Sequence, residues 1–347
     1  MPPTAKPVPQ IPQSIRLLEL AQRAPLYLSQ DHQTYIECPT AIPVFSEDFF
    51  TWLICLAEKR LGTIPSPSDI ARVSRTLDAQ ARAAKTENTV HTRIAKLGTK
   101  SYQLDLGTED HQVVNITGQG WELSQHFDAH FERFEDHKPM ATPEPTPLKL
   151  AVCMEKQFNL APENAEKLAI WLAEALLPGK QPPILVITGK AREAAVEKLR
   201  NLIDPVREPI IETPTQEGEL RRMVLENKVL AFSVNDQLSE KVLKALNLFH
   251  QGKRVLLKHC QRSRFKCRST ISRPIIIATE EPQQISPNQF NLEINEALDI
   301  LNGKIAGALL NLLVQIIGQP IEQRQTMTIS DEGEITAVRE APTSDTS

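Results

Sequence analysis

The chain has 347 residues, enough for two domains, and 41% of them are apolar, enough for ordinary cores. Its 39 Lys and Arg stand against 43 Asp and Glu, a formal net charge of −4, so the chain is not a polycation and any contact with nucleic acid must come from a local basic patch. Aromatic residues make up only 5%, which argues against base stacking on single strands as the main activity, and 26 Pro against 13 Gly leaves little material for glycine-built phosphate cradles.

Residues 1–13 carry five prolines and read as a disordered lead, polar rather than signal-like. Cys38, Cys55, Cys153, Cys260 and Cys267 are odd in number and mostly isolated, so a reduced, cytoplasmic setting is expected. A first domain over 14–139 is expected to be α+β. It opens with a short amphipathic helix from Ser14 to Ala21, followed by a hairpin, Leu26–Leu28 with Thr34–Ile36. Ser46 can cap a helix running to Leu61, and a second helix follows Pro65-Ser66-Pro67-Ser68 to about Thr86. Strands are expected over 90–95, 102–106 and 113–116. The helices at 46–61 and 67–85 followed by strands have a winged-helix flavour, but Arg82 and Lys85 are too few phosphate contacts to carry it.

Pro143, Pro145 and Pro147 alternate in 140–149, which reads as a semi-rigid interdomain linker. The second domain, 150–318, alternates helices with apolar runs: Ile184–Thr188, Val229–Val234 and Pro274–Ala278. That pattern predicts an α/β domain with a mainly parallel sheet. A last helix is expected from Asn295 to Ile317, stopped by Gly318 and Pro320. Its apolar stretch contains Asn311 and Gln315 and is too short to span a bilayer, so no membrane association is expected. Residues 319–347, with six acids and two arginines, read as an acidic disordered tail.

A strand ending in Thr-Gly and entering a helix is where an α/β protein binds phosphate, because backbone amides and the helix dipole point at the anion. Here Thr188-Gly189-Lys190-Ala191-Arg192-Glu193 has one glycine and no Lys-Ser or Lys-Thr pair. Thr188, Gly189 and Lys190 are the only candidates for a residual, weak nucleotide contact; the competing reading of Lys190 is a solvated first-turn lysine. Asp236 and Glu240 could hold a cation, though a capping role for Asp236 explains it more simply.

The chain resembles ATP-binding, AAA+/superfamily 3 helicase-like (primase-helicase type) proteins encoded near replication genes of mobile elements. The resemblance covers roughly residues 17 to 317. It rests on the order and spacing of Leu20-Ala21-Gln22-Arg23-Ala24, Gly118-Gln119-Gly120-Trp121, Pro183 to Gly189, Leu202-Ile203-Asp204-Pro205, Leu230-Ala231-Phe232 and Arg273 to Ile277. It implies a P-loop-NTPase-like (AAA+-type) second domain. Active members of that family carry a full P-loop between the Thr-Gly and the Leu-Ile-Asp-Pro, where this chain is shorter. They carry acidic and amide residues where Ser233 and Val234 stand, an Asn where Ala278-Thr279 stand, and an Arg in the region 288–294, which has none here. With all four altered together, the resemblance implies a degenerate member that keeps the fold and has given up phosphoryl transfer, with no cofactor expected and a residual ATP and Mg²⁺ contact as the disfavoured alternative.

Between Lys253 and Arg273 lie eight cations and no acid: Lys253, Arg254, Lys258, Arg262, Arg264, Lys266, Arg268 and Arg273. The segment reads as a hairpin whose exposed rim could meet DNA, duplex or single-stranded; the alternatives are a protein partner, the acidic tail, or a plain solvated face. His259, Cys260 and Cys267 lack a zinc spacing and a fourth ligand. His126, Asp128 and His130 would share one face of a strand, but Phe127 and Phe131 mark that segment as a packing one. The leading expectation is therefore a non-hydrolysing helicase-like protein with a DNA-associated or scaffolding role in phage or plasmid replication, as a homo-oligomer or beside an active relative. Two rivals stay open: a divergent ATPase using substitute residues, and a protein-binding module that caps an active relative.

Overall fold

The computed structural model describes residues 12–30, 32–212, 220, 223–224, 226–234, 238–252, 254–258, 266–270, 273–281, 283–298, 302–319, 326–329 and 335–338. It divides the chain into two units, Met1–His91 with His130–Arg133, and Thr92–Ala129 with Phe134–Ser347. This division falls elsewhere than the proline-rich stretch at 140–149.

The first unit holds α1 (Gln13–Ala21), β1 (Leu26–Ser29), β2 (Thr34–Glu37), β3 (Ala41–Pro43), α2 (Glu47–Leu61), α3 (Pro67–Ala84), β4 (Glu87–Asn88), β5 (Val90–His91) and the returning β10 (His130–Phe131). The expected hairpin is present, with Leu28 opposite Thr34, in a sheet of order β3-β2-β1-β4. Both helix starts follow from their caps. Ser46 Oγ accepts from the Phe49 amide and Ser66 Oγ from the Asp69 amide, each at 3.2 Å, with Pro67 in the first turn of α3. Gly62, at φ 65°, ends α2. The helices close on one core through Phe49, Leu53 and Ala57 against Ile70, Val73 and Leu77, which repeat at helical spacing.

The second unit begins with an antiparallel meander: β6 (Ile94–Gly98), β7 (Ser101–Asp105), β8 (Val113–Thr117) and β9 (Trp121–Ser124). Next come α4 (Leu150–Phe158), α5 (Pro162–Leu176), β11 (Ile184–Thr188), α6 (Arg192–Ile203), β12 (Ile211–Glu212), β13 (Leu230–Val234) and α7 (Glu240–His250). The chain continues through β14 (Arg254–Lys258), β15 (Lys266–Thr270), β16 (Ile275–Thr279), β17 (Gln289–Glu293), α8 (Asn302–Gly318), β18 (Thr326–Ile329) and β19 (Ile335–Val338). Five strands make an all-parallel sheet of order β12-β13-β16-β11-β17. The strand carrying the Thr-Gly turn, β11, thus lies between β16 and β17, the arrangement of a P-loop-NTPase-like, AAA+-type domain. Strand alternation sends the continuous apolar run to two cores. Leu185 and Ile187 pack with Leu172, Leu199 and Leu309 on one face, whereas Ile184 and Val186 pack with Phe232, Leu246 and Phe249 on the other.

Several expectations need correction. The last helix starts at Asn302, not Asn295, because Gln289-Phe290-Asn291-Leu292-Glu293 alternates with period two and pairs along β11 as an edge strand. A helix at Leu150–Phe158 was not anticipated. Within the acidic tail, β18 and β19 pair as an antiparallel hairpin. Residues 125–129 are not a strand; buried Gln103 organises them, its Oε1 accepting from the Asp128 and Ala129 amides at 2.9 and 3.3 Å and its Nε2 donating to His126 O at 3.0 Å. His126 and Asp128 are thus spent on a loop. Among the described residues no group of three or more His, Cys, Asp or Glu could hold a metal ion, and no helix is long and apolar enough to cross a membrane.

Two features brace the second unit. Arg93, at φ 67°, donates from Nε to Asp204 Oδ1 at 3.2 Å and from Nη2 to the carbonyls of Lys138 and Pro205. Asp204 Oδ2 accepts from the Lys228 and Val229 amides at 2.9 and 3.0 Å, so both oxygens of this fully buried carboxylate are hydrogen-bonded. The proline-rich segment is a strap on α8. Glu144 N donates to Gly303 O at 2.9 Å, Asn311 Nδ2 donates to Thr146 O at 2.9 Å, and Asn311 Oδ1 accepts from Trp121 Nε1 at 3.0 Å. Glycine is required beneath the strap: a Cβ on Gly303 would come within 2.6 Å of Glu144 Oε1, and one on Gly307 would collide with the Glu144 carbonyl.

Candidate phosphate turn and basic hairpin

Thr188 ends β11, Gly189 turns the chain at φ 97°, and α6 begins at Arg192. A helix start without a side-chain cap leaves amides to be satisfied, and these are the amides a phosphate would take. Here the chain satisfies them itself. Ala191 N donates to Ile294 O at 3.1 Å, and Lys190 N donates to Asn295 Oδ1 at 3.2 Å. Asn295 is itself fixed, its Nδ2 donating to Glu293 Oε1 at 3.0 Å. The segment after β17 lies so close over the turn that a Cβ on Gly189 would collide with the Ile294 carbonyl and meet Asn295 Oδ1 at 3.0 Å. Gly189 therefore serves a chain–chain approach.

The surrounding charges point the same way. Arg192 Nη2 pairs with Glu280 Oε1 at 3.0 Å, and Glu193 Oε1 accepts from Ser233 Oγ at 3.2 Å. Three carboxylates thus surround the turn, Glu193 in the first turn of α6, Glu280 just past β16 and Glu293 at the end of β17, and would repel a phosphate there. Lys190 projects to solvent with no partner among the described residues. Thr279, at the end of β16, is buried and donates to Glu281 O at 3.0 Å. At the start of α7, Ser239 is the cap, accepting from the Val242 amide at 3.4 Å. Asp236, expected there as a cap, lies outside the described residues. Ile294 and Asn295, which occupy the turn, carried no signal in the sequence; they stand about a hundred residues downstream and have no motif.

The basic segment forms the expected hairpin. β14 pairs antiparallel with β15, Arg254 opposite Thr270, Leu256 opposite Arg268 and Lys258 opposite Lys266. By strand alternation the positions of Arg254, Leu256, Lys258, Lys266, Arg268 and Thr270 belong to one face of the ribbon, and those of Val255, Leu257, Cys267 and Ser269 to the other. Lys253, Arg262 and Arg264, and with them His259 and Cys260, lie outside the described residues. Arg273 is not part of any rim: its Nε donates to the carbonyls of Val224 and Asn227 at 3.0 and 2.8 Å, and burial lowers its pKa to about 10.

No family model and no curated protein matches the sequence. Among solved structures the chain is similar to the A-form apo C-terminal region of NrS-1, with a TM-score of 0.42 and 9% identity over 87% of this chain and 68% of that one. It is also similar to a full-length MCM homolog from Methanopyrus kandleri, with a TM-score of 0.28 and 11% identity over 79% and 68%. A third is JCV helicase bound to a thiazolopyridine-phenoxyphenyl acetamide, with a TM-score of 0.25 and 12% identity over 50% and 60%.

Proposed function

We propose that this chain is a helicase-like protein of AAA+-type fold that does not hydrolyse nucleotide and instead associates with DNA or scaffolds an assembly in mobile-element replication. The observation that carries the first half is the occupied phosphate turn. With the Lys190 and Ala191 amides given to Asn295 and Ile294, a nucleotide would have to break two hydrogen bonds, displace the segment after β17 and approach three carboxylates. Nothing at Ser233, Val234 or Thr279 compensates with a Mg²⁺ ligand or a water-positioning group.

The second half draws on the β14–β15 ribbon, where the register places Arg254, Lys258, Lys266 and Arg268 on one face in a chain of net negative charge. Contacts of this kind are made to phosphates and carry no sequence preference. The replication setting draws on the sequence resemblance. The test is DNA binding across a salt series, with and without Mg-ATP. Expected is sequence-independent binding that weakens steeply with salt and is indifferent to ATP; four phosphate contacts would give a log–log slope of roughly −3 to −4 on duplex. Binding that requires ATP, or none at low salt, would contradict the reading.

A further inference from the structure

We infer that the exposed stripe of α3 in the first unit, centred on Arg72 and Arg75, is a second contact for a nucleic-acid backbone, independent of the β14–β15 ribbon. At helical spacing Ser68, Arg72, Arg75, Ala79 and Ala83 fall on one line along the helix, and all five are exposed. The helix has two acids that could neutralise these arginines, and both are used elsewhere. Asp69 accepts from Ser66 Oγ at 2.6 Å within the N-terminal cap. Asp78 accepts from Thr34 Oγ1 at 2.6 Å and from Arg82 Nε at 3.0 Å. Arg82 is likewise spent, on Asp78 and on the His32 carbonyl at 3.1 Å. Arg72 and Arg75 alone among the cations of α3 have no partner among the described residues.

Two like charges one turn apart disfavour the helix slightly, so their juxtaposition gains nothing for folding. What it provides is a pair of planar forks matched to phosphate oxygens. The rest of the stripe selects the partner. Protein interfaces centre on buried aromatic or large apolar anchors, and this stripe has none, only Ser68 and two alanines beside the arginines. Small side chains there let a phosphate backbone lie close to the helix while the arginines reach it from one edge.

The experiment uses the full chain and three variants: Arg72→Ser with Arg75→Ser, Arg72→Lys with Arg75→Lys, and Lys266→Ser with Arg268→Ser in the ribbon. Binding of labelled duplex and single-stranded oligonucleotides is measured by anisotropy across a salt series, with thermal unfolding alongside. The α3 serine variant is expected to lower the salt slope on duplex by roughly 1.8, for two lost phosphate contacts, with an unchanged melting temperature. The lysine variant should keep most of the slope. The ribbon variant should lower it separately, and the two losses should add. An α3 serine variant that binds as the parent chain does would overturn the inference, whatever the ribbon variant does. So would poly-glutamate competing as well per charge as the oligonucleotide, which would assign the stripe to an acidic protein.

Discussion

The amide of Lys190 donates to the side-chain oxygen of Asn295 across 3.2 Å. Lys190 opens the turn that should receive a phosphate, and Asn295 follows the edge strand β17. Together with the Ala191–Ile294 bond at 3.1 Å, the pair ties the turn to the segment after β17. Asn295→Ala should free the Lys190 amide without restoring nucleotide binding, since Ile294 and the three carboxylates remain. Thermal unfolding should fall by about 0.5–1.5 kcal/mol, the net worth of an ordinary hydrogen bond, with no new heat on adding Mg-ATP.

Asp204 is the most consequential buried charge. Its carboxylate is shared by the Arg93 guanidinium and two amides in a place with no access to water. Asp204→Asn leaves the buried Arg93 guanidinium uncompensated and should cost about 3–5 kcal/mol by denaturant unfolding. Lys228 is the opposite case. Burial, with Arg273 nearby, pushes its ammonium down to about 7. Lys228→Met, which removes that desolvation, should therefore be neutral or stabilising by denaturant unfolding.

His137 and His250 give the chain an acid-side weakness. Burial holds both below the ordinary value of 6.5, for His137 with the Arg93 charge adding to it. The unfolded chain takes up protons on these groups before the folded one does, so stability is full above about pH 6.5 and falls as pH drops from there towards the folded values. Unfolding midpoints at pH 5 and pH 7 should differ in that sense. His250→Gln, keeping a donor toward the Pro182 carbonyl that lies 2.7 Å from His250 Nε2, should reduce the difference.

The strap over α8 gives a geometric test. Gly307→Ala places a methyl against the Glu144 carbonyl and should destabilise by about 1–3 kcal/mol, the range for overpacking. It should also make 140–149 newly sensitive to mild protease, whereas the parent strap, bonded at Met140, Glu144 and Thr146, should resist it.

What could be read from the sequence was local. Ser46, Ser66-Pro67 and Gly62 announced helix boundaries through caps, and the apolar runs at 184–188, 230–234 and 275–279 announced buried strands. What could not be read depended on distant residues. The prolines at 143, 145 and 147 predict an extended segment whether it is free or docked; the glycines that dock it stand some 160 residues away. The alternation in Gln289–Glu293 is short and sits beside Ile294 and Asn295, so it merged with the helix that follows. The missing Lys-Ser pair shows that the turn lacks a P-loop's residues, but not that Asn295 bonds to its amide. Arg82 and Lys85 stand out in the sequence because they end α3, whereas the arginines without a partner among the described residues are the two in its middle.

The turn after β11 is closed by the chain itself, through Asn295 and Ile294. The most direct measurement is the amide chemical shifts of Lys190 and Ala191 in labelled protein as Mg-ATP is added to millimolar concentration. Both resonances should stay in place, with no saturable heat in a parallel calorimetric titration. A saturable shift of both amides at micromolar ATP, abolished by Lys190→Ala, would show instead that the turn opens to a working nucleotide site.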